Sequence, residues 1–156
     1  MSSAAEPLFR STARRGYSTE VSTYPGRVLA RKLAREVQVQ FASQAGAIQT
    51  PEGVVQVCPR DAIVAGSAGE RWRVSRSHFP ERYRAVPPTI DGQDGKYVSL
   101  PNSIMAVPMN RAFEVLLADG VSRLRGRSGD WLVDYGNGSL GIVAQPIFAA
   151  TYEVVG

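Results

Sequence analysis

Few residues of this chain carry types that could do chemistry. One cysteine and one histidine stand among 156 residues, Cys58 and His78. A thiol and an imidazole can serve as a nucleophile and its base, but no third residue suggests itself to orient the pair. No spacing of Cys and His matches a zinc set. Two carboxylates are better placed, Asp61 and Asp130, each at the entrance to an apolar run. An Asp at such a point normally caps a turn by accepting from its own backbone, and that structural turn-cap role is assigned to both. The third group is basic. Arg123, Arg125 and Arg127 alternate, and Arg71 and Arg73 flank Trp72. A basic ladder beside an aromatic can bind an anion or a single nucleic-acid strand; alternating Arg also keeps an edge strand from pairing with another chain. No glycine-rich phosphate loop, nucleophile elbow or paired-carboxylate pattern occurs. The expectation is a protein that is not an enzyme, with no metal and no cofactor.

The elements that hold these residues repeat. Sliding Pro59–Val86 by 69 positions lays it on Ser128–Val155 without a gap. Asp61 then meets Asp130, Ile63 meets Leu132, Val64 meets Val133 and Gly69 meets Gly138. Val74 meets Val143, Phe79 meets Phe148, Tyr83 meets Tyr152 and Val86 meets Val155. Cys58 and His78 have no such counterparts. Apolar pairs around Gly136-Asn137-Gly138 read as a tight hairpin, because Asn-Gly suits a type I′ turn. Phe and Tyr four apart anchor a helical turn and start a closing strand, and their rings read as core. The fold class expected is α+β and β-rich: two tandem small β units, each a hairpin, a helical turn and a closing strand, related by a pseudo-two-fold.

This pattern resembles the PGDYG family of small domains. Gly129-Asp130-Trp131-Leu132-Val133 and Gly69-Glu70-Arg71-Trp72-Arg73-Val74 carry the likeness, with Glu36–Phe41 and Ile48–Gly53 matching the family's opening strand and turn. It covers most of 36–86 and, more weakly, 104–155. Each copy departs from it: Arg60 stands where the motif has Gly, Ser128 where it has Pro, and Gly141 where it has Trp. The resemblance implies a fold and brings no catalytic residue. In some protists PGDYG-like proteins are extra subunits of mitochondrial ATP synthase, which implies, by analogy of fold, an accessory role.

Charge is unevenly spread. Residues 1–35 hold seven basic side chains against Glu6 and Glu20, a balance of +5; of 18 basic and 14 acidic residues in all, the other 121 positions keep 11 and 12, or −1. The chain divides into a basic arm with a short helix over 1–35, a first unit over 36–87, a linker over 88–95 and a second unit over 96–156; the helix is expected over 26–35, with Val28, Leu29 and Leu33 on one side. In the arm, Arg14-Arg15-Gly16-Tyr17-Ser18-Thr19 looks like the end of a mitochondrial presequence. Leu8, Phe9, Arg10, Arg14 and Arg15 are its expected partner-binding residues. No apolar run is long enough for a membrane helix, so a membrane would be reached only through partners. The function expected is a non-enzymatic accessory or scaffold subunit, docking by its arm among other subunits of a mitochondrial ATP synthase or respiratory complex. The alternative is a cytoplasmic bacterial or phage-type module that binds a small anionic ligand or nucleic acid through its Arg faces. Nucleic acid is the less expected partner, since phosphate binding needs net positive surface.

Overall fold

Alternation of side chains decides the local structure almost everywhere. Val37 and Val39 are buried while Gln38 and Gln40 are exposed, the period of a half-buried strand. The computed structural model describes residues 6–12 and 14–156. Among the described residues it is β-rich, with fifteen strands and three short helices in several sheets. In chain order these are β1 (Leu8–Arg10), α1 (Thr19–Ser22), β2 (Val28–Lys32), β3 (Glu36–Phe41), β4 (Gly46–Thr50), β5 (Gly53–Val57), β6 (Ala62–Ala65) and β7 (Arg71–Val74). There follow α2 (Phe79–Arg82), β8 (Tyr83–Ala85), β9 (Gly95–Ser99), β10 (Ser103–Pro108), β11 (Phe113–Leu116), β12 (Arg123–Gly126), β13 (Trp131–Asp134), β14 (Leu140–Val143), α3 (Gln145–Thr151) and β15 (Tyr152–Val154).

Two compact units result. One is Lys32–Asn102; the other joins Met1–Arg31 to Ser103–Gly156. Unit Lys32–Asn102 holds an antiparallel sheet of order β7-β6-β3-β9-β8 and a separate hairpin, β4-β5. Its core gathers Val37, Val39, Val64, Val74, Phe79, Tyr83 and Tyr97. The Phe79 and Tyr83 rings stack at 5.1 Å. The discontinuous unit has a sheet of order β14-β13-β10-β2-β15 and a second sheet, β1-β11-β12. Ala30, Ile104, Ala106, Val133, Phe148 and Tyr152 form a core there. Trp131 stacks on Phe148 at 3.9 Å, and Phe148 on Tyr152 at 5.0 Å.

Three sequence expectations change. The short helix over 26–35 is instead a strand. Its Ala30 is fully buried and Leu29 exposed, because β2 is hydrogen-bonded to β10 on one side, Ala30 opposite Ile104, and to β15 on the other. The linker over 88–95 ends in β9, which lies between β3 and β8 in the same sheet. Residues 96–102 therefore belong with the earlier unit, and 1–31 with the later one, so the arm is part of a folded unit. Last, the turn after β13 is wider than type I′. Gly136 and Gly138 have φ of 79° and 92°, but Asn137 is not in the left-handed region; Tyr135 N donates to Ser139 O across the loop at 3.1 Å.

The connectivity has one further property. β2 pairs with β10 although the chain runs from β2 into β3. Likewise β9 pairs with β3 although the chain runs from β9 into β10. Each sheet thus contains a strand whose neighbour in sequence lies in the other sheet.

Candidate docking site at the hairpin edges

The arm is seated on its own unit. β1 adds to β11 as a parallel strand, with Phe9 opposite Val115. Phe9 explains the attachment: it is buried, and its ring meets Tyr24 at 5.7 Å and Phe113 at 6.3 Å edge to face. Arg125 Nη2 reaches Glu6 Oε1 at 2.6 Å. The backbone then continues the contact, Ser11 N donating to Leu116 O, Thr12 N to Gly138 O and Gly16 N to Gly136 O at 2.9, 2.7 and 2.7 Å. Gly138 is required by this approach: a Cβ there would collide with the carbonyl oxygens of Thr12 and Arg14. Leu8 and Phe9, expected at a partner surface, are placed within the unit instead. Leu8 is half-buried, while Arg10, Arg14 and Arg15 are exposed. Residues 1–5 and 13 of the arm lie outside the described residues.

A buried carboxylate anchors the arm's far end. Asp134 is fully buried at the end of β13. Its Oδ2 accepts from Ser18 N at 2.7 Å and its Oδ1 from Gly136 N at 2.9 Å. Burial raises its pKa above the ordinary 3.8, against the lowering effect of those two N–H groups. Nothing in the sequence marked Asp134, since its partner Ser18 is 116 positions away.

Each five-stranded sheet is followed, after its central strand, by a hairpin. β11-β12 follows β10, and β4-β5 follows β3. The outer edge of β11 is covered by β1; the outer edge of β4 pairs with nothing among the described residues. Gly46, Ala47 and Gln49 of β4 are exposed and Ile48 is half-buried. An edge strand with free N–H and C=O groups is a template for strand addition. β4 carries none of the usual protection: its five residues include no charge, no proline and no bulge.

The arginine ladders are partly committed elsewhere. Arg73 Nε binds Asp61 Oδ2 at 2.8 Å, Arg123 meets Glu114 at 3.3 Å and Arg125 meets Glu6. Arg71 and Arg127 are exposed on β7 and just after β12. Arg71 and Arg73 belong to unit Lys32–Asn102, and Arg123, Arg125 and Arg127 to the other unit. Asp61 is 2% exposed and accepts three bonds, from Cys58 N, Arg73 Nε and Arg76 N, at 2.8, 2.8 and 3.3 Å. Asp130 Oδ2 accepts from Arg127 N at 2.9 Å. Both carboxylates thus close the turn that precedes a strand, and among the described residues Asp61 also holds a guanidinium, that of Arg73. No cluster of three metal-ligating side chains occurs among the described residues. No helix among them is long and apolar enough to cross a membrane.

A family model described as PGDYG protein matches residues 53–153. No curated protein and no solved structure matches the chain.

Proposed function

The chain belongs to the PGDYG family, and we propose that it is a non-enzymatic scaffold subunit that takes an extended segment of a partner protein onto the β4 edge. The observation that carries this is the difference between the two hairpins: one has its outer edge filled by Leu8–Arg10, the other is open. The filled edge also supplies the chemistry of the occupant. It is an extended segment with a large apolar residue at its centre, as Phe9 is on β11, since backbone pairing gives affinity and alternate side chains give selectivity. A photoreactive residue at Ala47 should cross-link to the partner that co-purifies with the native protein. The double change Ala47→Lys, Gln49→Lys places charge on exposed positions of the edge. It should abolish recovery of that partner while leaving the melting temperature unaltered; full recovery with the double variant refutes the reading.

The same reading includes a tandem origin. The strand order β7-β6-β3-β9-β8 parallels β14-β13-β10-β2-β15, and the 69-residue offset relates β6 to β13 and β8 to β15. Two copies about a pseudo-two-fold would account for both. The setting proposed is a mitochondrial assembly, supported by the arm's composition, with exposed Arg10, Arg14 and Arg15 offering charge to acidic neighbours. Nucleic acid is not the proposed partner of the Arg ladders, three of whose five members are paired with carboxylates.

A further inference from the structure

We infer that unit Lys32–Asn102 binds an organic phosphoanion, of the chemistry of a nucleoside triphosphate, in an open cavity rimmed by Arg60, Arg76 and Arg84. The cavity measures about 770 Å³, within the range of small-molecule sites. Its apolar lining includes Phe41, Phe79 and Tyr83, three rings whose packing fixes them: Phe41 lies edge to face on Phe79 at 5.2 Å, and Phe79 stacks on Tyr83. One wall, Asp91–Gly92, belongs to the turn that Tyr97 holds through Gly92 N at 2.9 Å and Gln93 O at 2.7 Å.

Charge identifies the class of ligand. Arg60, Arg76 and Arg84 are exposed, and no carboxylate lies within ion-pair distance of any of them among the described residues. The one acid in the lining, Asp91, accepts from Ala85 N through Oδ1 at 2.8 Å. Three guanidinium groups against one engaged carboxylate suit several phosphate groups, which planar forks bind bidentately. The apolar lining then suits a flat ring attached to them.

Two comparisons within the chain separate this from an ordinary solvated surface. Arg60 is the sole non-glycine among the described residues with positive φ, at 71°. The position 69 residues on is Gly129, with φ of 99°, so the same turn is built there from the residue that suits it. A side chain kept in a sparsely populated backbone state points to a use for that side chain. The same offset carries Arg76 to Gln145 and Arg84 to Glu153, the latter paired with Arg31 at 3.4 Å. All three rim cations are therefore absent from the corresponding positions of the other unit.

Isothermal titration of the full chain with ATP, inorganic tripolyphosphate and adenosine tests the inference. ATP should bind tightest, tripolyphosphate about tenfold more weakly, and adenosine weakest. Arg60→Gly, Arg76→Gln and Arg84→Glu exchange each rim residue for its counterpart. Each should weaken ATP about tenfold, and the triple variant should lose it, while Arg60→Gly melts no lower than the parent. Binding of ATP that survives the triple variant would overturn the proposal, as would no heat from ATP at millimolar concentration. Equal affinity for ATP and tripolyphosphate would also overturn it, since the apolar lining would then contribute nothing. The outcome is independent of the β4 edge, whose double lysine variant should bind ATP as the parent does.

Discussion

Asp61 and Asp130 stand just before β6 and β13 but do unequal work. Asp130 holds one backbone N–H, while Asp61 holds two and the Arg73 guanidinium in a site open to solvent by only 2%. Removing Asp130 by Ala should therefore cost about 1 kcal/mol, the worth of one hydrogen bond. Asp61→Ala should cost about 3 kcal/mol, because it also leaves a half-buried cation without its partner; chemical denaturation of the two variants measures the gap, and equal losses would contradict it. Asp134 adds a pH dependence with a definite sign. Its pKa is raised in the folded state by burial, so protonation favours folding. The stability from this group is complete below the free value of 3.8 and is lost as pH rises through the raised folded value. Relative to Asp134→Asn, the parent should gain urea resistance as pH falls across that window and keep a constant difference above it. A parent that loses urea resistance relative to Asp134→Asn on acidification would reverse the assignment. Of these residues, Asp61 and Asp130 were legible from their recurrence at a fixed offset; Asp134 was not, because an Asp at the end of a strand reads as surface when its partners lie on a distant arm.

Among the elements, the arm is the one the sequence described least well. Leu8-Phe9-Arg10 is too short to show a period, so its strand character exists only through pairing with β11. The stretch 26–35 misled for a related reason: Val28, Leu29 and Leu33 can be drawn on one helical face, yet alternation is what β10 and β15 select. Where a turn signal or a long alternation was present, as in β3 and β13, strands formed where the residues said they would. The arm's attachment can be tested at two points. Gly138→Ala forces a methyl group against the arm's carbonyls and should release residues 6–18 to protease, with β13 and β14 still protected. Phe9→Ala should cost about 3–5 kcal/mol as a large-to-small core change, and melting curves identical to the parent would show that β1 is not held by its ring. Deleting residues 1–23 removes Phe9 and Val21, both buried, and should destabilise Ser103–Gly156 while leaving the melt of Lys32–Asn102 unchanged.

At the scale of the whole molecule, the two units differ in how the chain supplies them. Lys32–Asn102 is continuous and contains every strand of its sheet, β3 and β6 to β9. The other unit needs β1 and residues 28–31 of β2 from the start of the chain. A fragment spanning 32–102 should therefore fold alone and melt cooperatively. A fragment spanning 103–156 should stay unfolded until a peptide of residues 6–31 is added, which dichroism and amide dispersion would follow. A fully dispersed spectrum for 103–156 alone would show β2 to be dispensable. The 69-residue offset was readable because its matched positions stand in the sequence itself. The pairing of β2 with β10 and of β9 with β3 was not, since β2 and β9 each carry a pattern that would suit either sheet.

The pairing of β2 with β10 orders events during synthesis. Residues 1–31 leave the ribosome first, and their partners in Ser103–Gly156 come after the 71 residues of Lys32–Asn102. At bacterial and eukaryotic elongation rates this is a wait of about 4–14 s, long against the folding time of a small domain. Through that interval Phe9 and both edges of β2 have no native partner, while the domain downstream of them is already complete. The nascent chain thus passes through a stage in which a finished unit trails an adhesive leader, the stage at which a holdase or a second nascent chain has its opportunity.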